Sequence, residues 1–127
     1  MPLVRIDLRK GKSIAYRRTV GDVVYEVMRA TIDVPENDRF QIITEHDAEN
    51  LICDSEYLGI HRSVDCVVIQ VTLSSGRTVA KKRAFYLAIV DGLSERLGLR
   101  KEDVFINLIE VSKENWSFGN GIAQYVA

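Results

Sequence analysis

Residues 8–18 read LRKGKSIAYRR and residues 73–83 read LSSGRTVAKKR. Laid over one another 65 positions apart without a gap, Leu8 falls on Leu73, Gly11 on Gly76, Lys12 on Arg77, Ser13 on Thr78, Ala15 on Ala80, Arg17 on Lys82 and Arg18 on Arg83. The same offset carries Ile32 onto Leu97, Asp38 onto Asp103, Phe40 onto Phe105 and Glu45 onto Glu110. Matching turn glycines inside an ungapped run are hard to obtain by chance. The chain therefore reads as two copies of one supersecondary unit.

Outward from that turn, each copy has the same plan. Residues 2–8 (PLVRIDL) alternate apolar and polar, and residues 66–73 (CVVIQVTL) do so more loosely, so both are expected strands. Ser13 and Thr78 are expected helix N-caps. Val20, Val23, Val24, Val27, Met28 and Ile32 form an apolar stripe at helical spacing, and Phe85, Ala88, Ile89, Gly92, Leu93 and Leu97 repeat it. The first helix should end before Pro35 and the second at Gly98. Strands are expected at 39–45 and 104–111. Each copy is then β-α-β, a crossover that makes its two strands parallel.

The expected fold class is α+β: a duplicated β-α-β in residues 1–127, one domain with repeats at about 2–46 and 66–111. An irregular insert (47–65) and a C-terminal tail (112–127) complete it. The result is a four-stranded mixed sheet with two helices on one face. The other face needs a cover, and strand residues such as Leu3, Val67, Ile69, Ile106 and Leu108 are apolar enough to predict a homo-oligomer.

Composition removes several function classes. The chain has 17 Lys+Arg against 18 Asp+Glu, a net charge of −1, so it lacks the positive excess that non-specific nucleic-acid binding needs. No apolar run approaches the roughly 18 residues of a membrane helix. Arg5, Asp7, Arg9 and Lys10 interrupt any leader-like pattern at the start, and a cytoplasmic setting is expected. Cys53 and Cys66 have no metal-ligand or redox spacing and read as small buried hydrophobes. His46 and His61 have no metal-like partners, and Lys81, Lys82 and Arg83 read as a solvated helix face.

If the two first strands pack antiparallel, Pro2, Asp38 and Arg77 fall on one sheet edge. A small residue after Met1 normally permits removal of the initiator. Pro2 would then carry a free secondary amine, a group of the kind that titrates at roughly 7.7–8.0 and is easily tuned for acid–base work. While Met1 is attached, that nitrogen is an amide without useful basicity. Arg77 offers a planar fork for a carboxylate. Asp38 could orient the amine or activate water.

Pro2 after Met1, the duplicated β-α-β, the segment VPENDRFQ (34–41) and the ending ENWSFGNG (114–121) resemble the tautomerase superfamily, and within it the malonate semialdehyde decarboxylase group. The resemblance covers essentially the whole chain. It implies a trimer, active sites near subunit boundaries and no cofactor or metal. It also implies Pro2 as catalytic amine, Asp38 as its acidic partner and Arg77 as the carboxylate-binding residue. One departure stands out. The decarboxylase pattern has Arg-Pro-Arg where this chain has Ser75-Gly76-Arg77, so one arginine must serve, helped by Trp116 and Phe118 as pocket lining.

The reaction so implied is decarboxylation of malonate semialdehyde or a similar 3-oxo acid. Alternatives are keto–enol tautomerisation of a phenylenolpyruvate-like acid or a hydratase-like reaction. Tyr125 could also approach this pocket.

Overall fold

Alternation of apolar and polar side chains makes Pro2–Arg9 a strand (β1), with Pro2, Val4, Ile6 and Leu8 turned to the core. The computed structural model describes residues 2–127, so the expectation concerning Met1 lies outside the described residues. After β1 come α1 (Ile14–Thr31), β2 (Gln41–His46), a short hairpin of β3 (Glu56–Tyr57) and β4 (Ile60–His61), β5 (Val67–Ser74), α2 (Val79–Leu97) and β6 (Val104–Val111).

Both helices begin where their caps place them. The Ser13 hydroxyl accepts from the Tyr16 amide at 3.0 Å, and the Thr78 hydroxyl accepts from the Lys81 amide at 3.2 Å. The turn glycines before them, Gly11 and Gly76, have φ of 118° and 128°, a region that L side chains avoid. α1 ends at Thr31, ahead of Pro35, and α2 closes on Gly98 in the left-handed region at φ 66°.

The main sheet runs β2-β1-β5-β6. β1 pairs parallel with β2 and β5 parallel with β6, while β1 and β5 run antiparallel with Pro2 opposite Leu73. The helices cover one face. The core between the layers holds Val4, Ile6, Leu8, Val20, Val24, Met28, Val67, Ile69, Val71, Leu73, Phe85, Ile89 and Leu93.

The repeat reaches further than the sequence suggested. The stretch after β2, expected to be irregular, opens with a 3-10 turn at Ala48–Asn50, and the tail opens with its counterpart at Lys113–Asn115, again 65 positions on. Lys10 N–H to His46 carbonyl (2.8 Å) repeats as Ser75 N–H to Val111 carbonyl (3.0 Å), and the Arg17–Glu45 ion pair repeats as Lys82–Glu110. Among the described residues the hairpin β3–β4 and its flanks lack a second copy, as does the 3-10 turn at Lys101–Asp103.

The uncovered face also differs from expectation. Val67, Ile69, Ile106 and Leu108 point to the helices, and of the residues named above Leu3 alone is on the open side. Residues alternate faces along a strand, so their neighbours make the open face. There Ile42, Phe105 and Ile109 are exposed, mixed with polar pairs such as Gln70–Asn107 (3.1 Å) and Asp7–His46 (2.6 Å). Among the described residues no helix is long and apolar enough to cross a membrane.

Candidate active site

The antiparallel pairing of β1 and β5 gathers the candidate residues. Pro2, buried at the start of β1, lies opposite Leu73, and β5 ends one residue later at Ser74. The Ser74 carbonyl accepts from Arg77 Nη1 at 2.9 Å, which folds the half-buried arginine back to the end of β5. Arg77 Nε donates to the Ile32 carbonyl at 3.0 Å. That carbonyl caps the C-terminal end of α1, where exposed peptide dipoles favour a cation. Two main-chain acceptors thus fix the guanidinium plane.

Asp38 arrives from the other side. The Val4 amide donates to the Phe40 carbonyl at 3.0 Å, which lays the approach to β2 along the first residues of β1. Asp38 is only 9% exposed. Burial pushes its carboxyl above the ordinary carboxylate range, and the positive charge of Arg77 acts in the opposite sense. The two groups therefore share one electrostatic environment.

The tail makes the third wall. Trp116 Nε1 donates to the buried Ser74 hydroxyl at 3.0 Å. Trp116 stacks on Phe118 with ring centres 5.6 Å apart, and Tyr125 meets Phe118 edge-on at 4.9 Å. The Tyr125 hydroxyl is raised above its ordinary value by partial burial and by the negative charge of Asp38, with Arg77 opposing. Tyr125 thus senses both charged groups.

All five residues singled out from the sequence, Pro2, Asp38, Arg77, Trp116 and Phe118, lie at this one end of the sheet. Sequence reasoning left Tyr125 uncommitted and missed Ser74 and Ile32. The latter two act largely through main-chain carbonyls, which leave no trace in side-chain identity. Among the described residues no group of three or more His, Cys, Asp or Glu could hold a metal ion.

The duplication supplies an equivalent edge at the opposite end, where Val67, Asp103 and Lys12 stand at the repeat positions of Pro2, Asp38 and Arg77. Its chemistry is different. Asp103 is fully buried and accepts from the Ser63 amide (2.6 Å) and hydroxyl (2.5 Å), while Lys12 pairs with Asp65 at 3.2 Å.

Two family profiles, each described as tautomerase enzyme, match residues 38–119 and residues 2–60. The probable tautomerase YusQ of Bacillus subtilis (strain 168) is 39% identical over 99% of both chains. The probable tautomerase YrdN of the same organism is 35% identical over 99% of this chain and 97% of its own. Among solved structures, FG41 malonate semialdehyde decarboxylase inhibited by 3-bromopropiolate superposes with a TM-score of 0.90 at 39% identity, covering 97% of this chain and 93% of that one. A second malonate semialdehyde decarboxylase, studied for decarboxylase and hydratase activities, gives a TM-score of 0.90 at 30% identity, covering 97% and 95%.

Proposed function

The chain belongs to the tautomerase family, and from that premise we propose that it decarboxylates malonate semialdehyde or a similar 3-oxo acid, with Pro2 as an amino-terminal base or acid after loss of Met1. The observation that carries this reading is the clamped Arg77 beside the buried Asp38 at the edge where β1 begins. The likeness to two malonate semialdehyde decarboxylases across nearly the whole chain favours this substrate class.

In this reading the substrate carboxylate takes N–H donors that Arg77 does not spend on Ile32 and Ser74. Docking there sets the scissile C–C bond in line with the carbonyl π system. Protonated Pro2 donates to the carbonyl oxygen and stabilises the enolate formed as carbon dioxide departs. Reprotonation at carbon gives acetaldehyde. Asp38 orients the amine, and Trp116, Phe118 and Tyr125 exclude water. The reaction calls on no cofactor. Three copies of the chain, joined over the open sheet face, form the working unit, as a fused 4-OT neighbour at 25% identity forms a symmetric trimer.

A second reading, keto–enol tautomerisation of a phenylenolpyruvate-like acid, is favoured by the names of the two bacterial relatives. It requires Pro2 neutral, shuttling a proton. The deciding experiment measures carbon dioxide released from malonate semialdehyde, beside an NMR titration of the Pro2 nitrogen. Release with a proline charged at neutral pH is the expected result, and Arg77→Ala should lower kcat/KM about 10- to 100-fold, the worth of a charge-assisted pair. No release, with turnover of the enol and a neutral proline, would replace the first reading by the second.

A further inference from the structure

Cys53 and Cys66, 13 positions apart with no motif around them, bring their sulfurs to 2.7 Å. A disulfide bond needs about 2.05 Å, so a small closing movement separates the dithiol from the oxidised pair. The two cysteines sit on differently anchored backbone. Cys66 is buried and directly precedes β5. Cys53 follows the 3-10 turn at Ala48–Asn50, whose next residue, Leu51, accepts from Arg9 Nε and Nη2 at 3.2 and 2.8 Å. Cys53 is half-buried and lines a cavity of about 280 Å³ on the open side of the sheet, with Ile52, Asp54, Tyr57, Arg62 and Phe105.

We infer that Cys53 and Cys66 form a reversible oxidation site, in which a low-molecular-weight disulfide converts the dithiol into an internal disulfide that staples the β3–β4 segment to the base of β5. The half-buried Cys53 thiolate, lining that cavity, attacks one sulfur of the reagent, forming a mixed disulfide and expelling one reagent thiolate. Cys66 then loses its proton and attacks the Cys53 sulfur, expelling the second. Two protein thiols are oxidised and one reagent disulfide is reduced to two thiols. Burial pushes the Cys66 thiol up to about 12, so its thiolate is scarce and ring closure is the slow step. The site is at the far end of β5 from Leu73 and Pro2, so the staple leaves catalysis alone.

The test treats the native assembly with glutathione disulfide and follows intact mass, free thiols and disulfide-linked peptides. The expected product is lighter by two hydrogens, carries Cys53 linked to Cys66, reverts with dithiothreitol and keeps its kcat. Closure should quicken about tenfold per pH unit between 7 and 9. Cys66→Ser should stop at a glutathione adduct on Cys53, and Cys53→Ser should not react. Two thiols that stay free, a wild-type protein arrested at the adduct, or cross-links between chains would each overturn the inference.

Discussion

At the scale of single residues, the role proposed for Asp38 runs against stability. Its carboxyl is raised above the ordinary range because burial penalises the charged form. The folded chain therefore holds that proton to higher pH than the unfolded chain. Stability from this group is fully present below the unfolded value and is lost as pH rises through the folded one. Asp38→Asn removes the penalty. The variant should melt above the wild type at neutral pH, with the gap closing as pH falls through the acid range, which calorimetry at a series of pH values would show. Turnover should fall about 100-fold or more, the usual worth of a positioned acid–base group. A variant equally stable at every pH would mean that burial does not strain the carboxylate. Asp38 was legible as a candidate from its place just before β2, at the sheet edge where β1 begins, and from the segment VPENDRFQ that carries the family resemblance. Its burial was not, since Asp103 occupies the same place in the other copy with a different set of partners.

At the scale of elements, the helix pair is governed by Gly92. A Cβ built there would lie 2.8 Å from Val23 Cγ1, so α1 and α2 approach as closely as they do because position 92 has no side chain. Gly92→Ala should cost about 1–2 kcal/mol, overpacking outweighing the helix preference of alanine. Because the strain is shared, Val23→Ala should cost less in the Gly92→Ala background than alone, which a double-mutant cycle by denaturant unfolding measures. Simple additivity would show that the helices separate freely. Element boundaries were readable to within about two residues, because two copies of each cap, turn and stripe reinforce one another. The 3-10 turns escaped notice. The residues that carry them match only at Glu49-Asn50 over Glu114-Asn115, too little to stand out. The cysteine pair escaped for another reason, since sequence spacing says nothing about which loop returns to which strand.

At the scale of the whole molecule, the open sheet face has exposed Ile42, Phe105 and Ile109 beside polar pairs that tolerate water. Such a surface suits a partner that buries the apolar members and keeps the hydrogen bonds. Light scattering of the wild type should give three chain masses. Ile109→Arg, which puts a charge on that face without touching the helix-side core, should shift the population to single chains and lower activity with it. An Ile109→Arg protein that stays trimeric would move the interface elsewhere. The need for a cover followed from two helices over four strands. Which side chains would meet it did not: Gln70 and Thr72 mark the open side of β5, but β6 is apolar on both sides, with Ile106 and Leu108 on one and Phe105 and Ile109 on the other, and its pleat direction cannot be read from such a run.

The duplication also fixes a stoichiometry. A chain has one amino terminus, yet the fold provides two equivalent edges. At the second edge the repeat position of Pro2 is Val67, whose nitrogen is locked in a peptide bond and can never become an amine. The partners there were released to other work, Asp103 to hold Ser63 and Lys12 to pair with Asp65. In the proposed reading, joining two units in one chain therefore leaves one proline amine for two β-α-β units. An electrophile that captures the proline amine should saturate at one equivalent per chain.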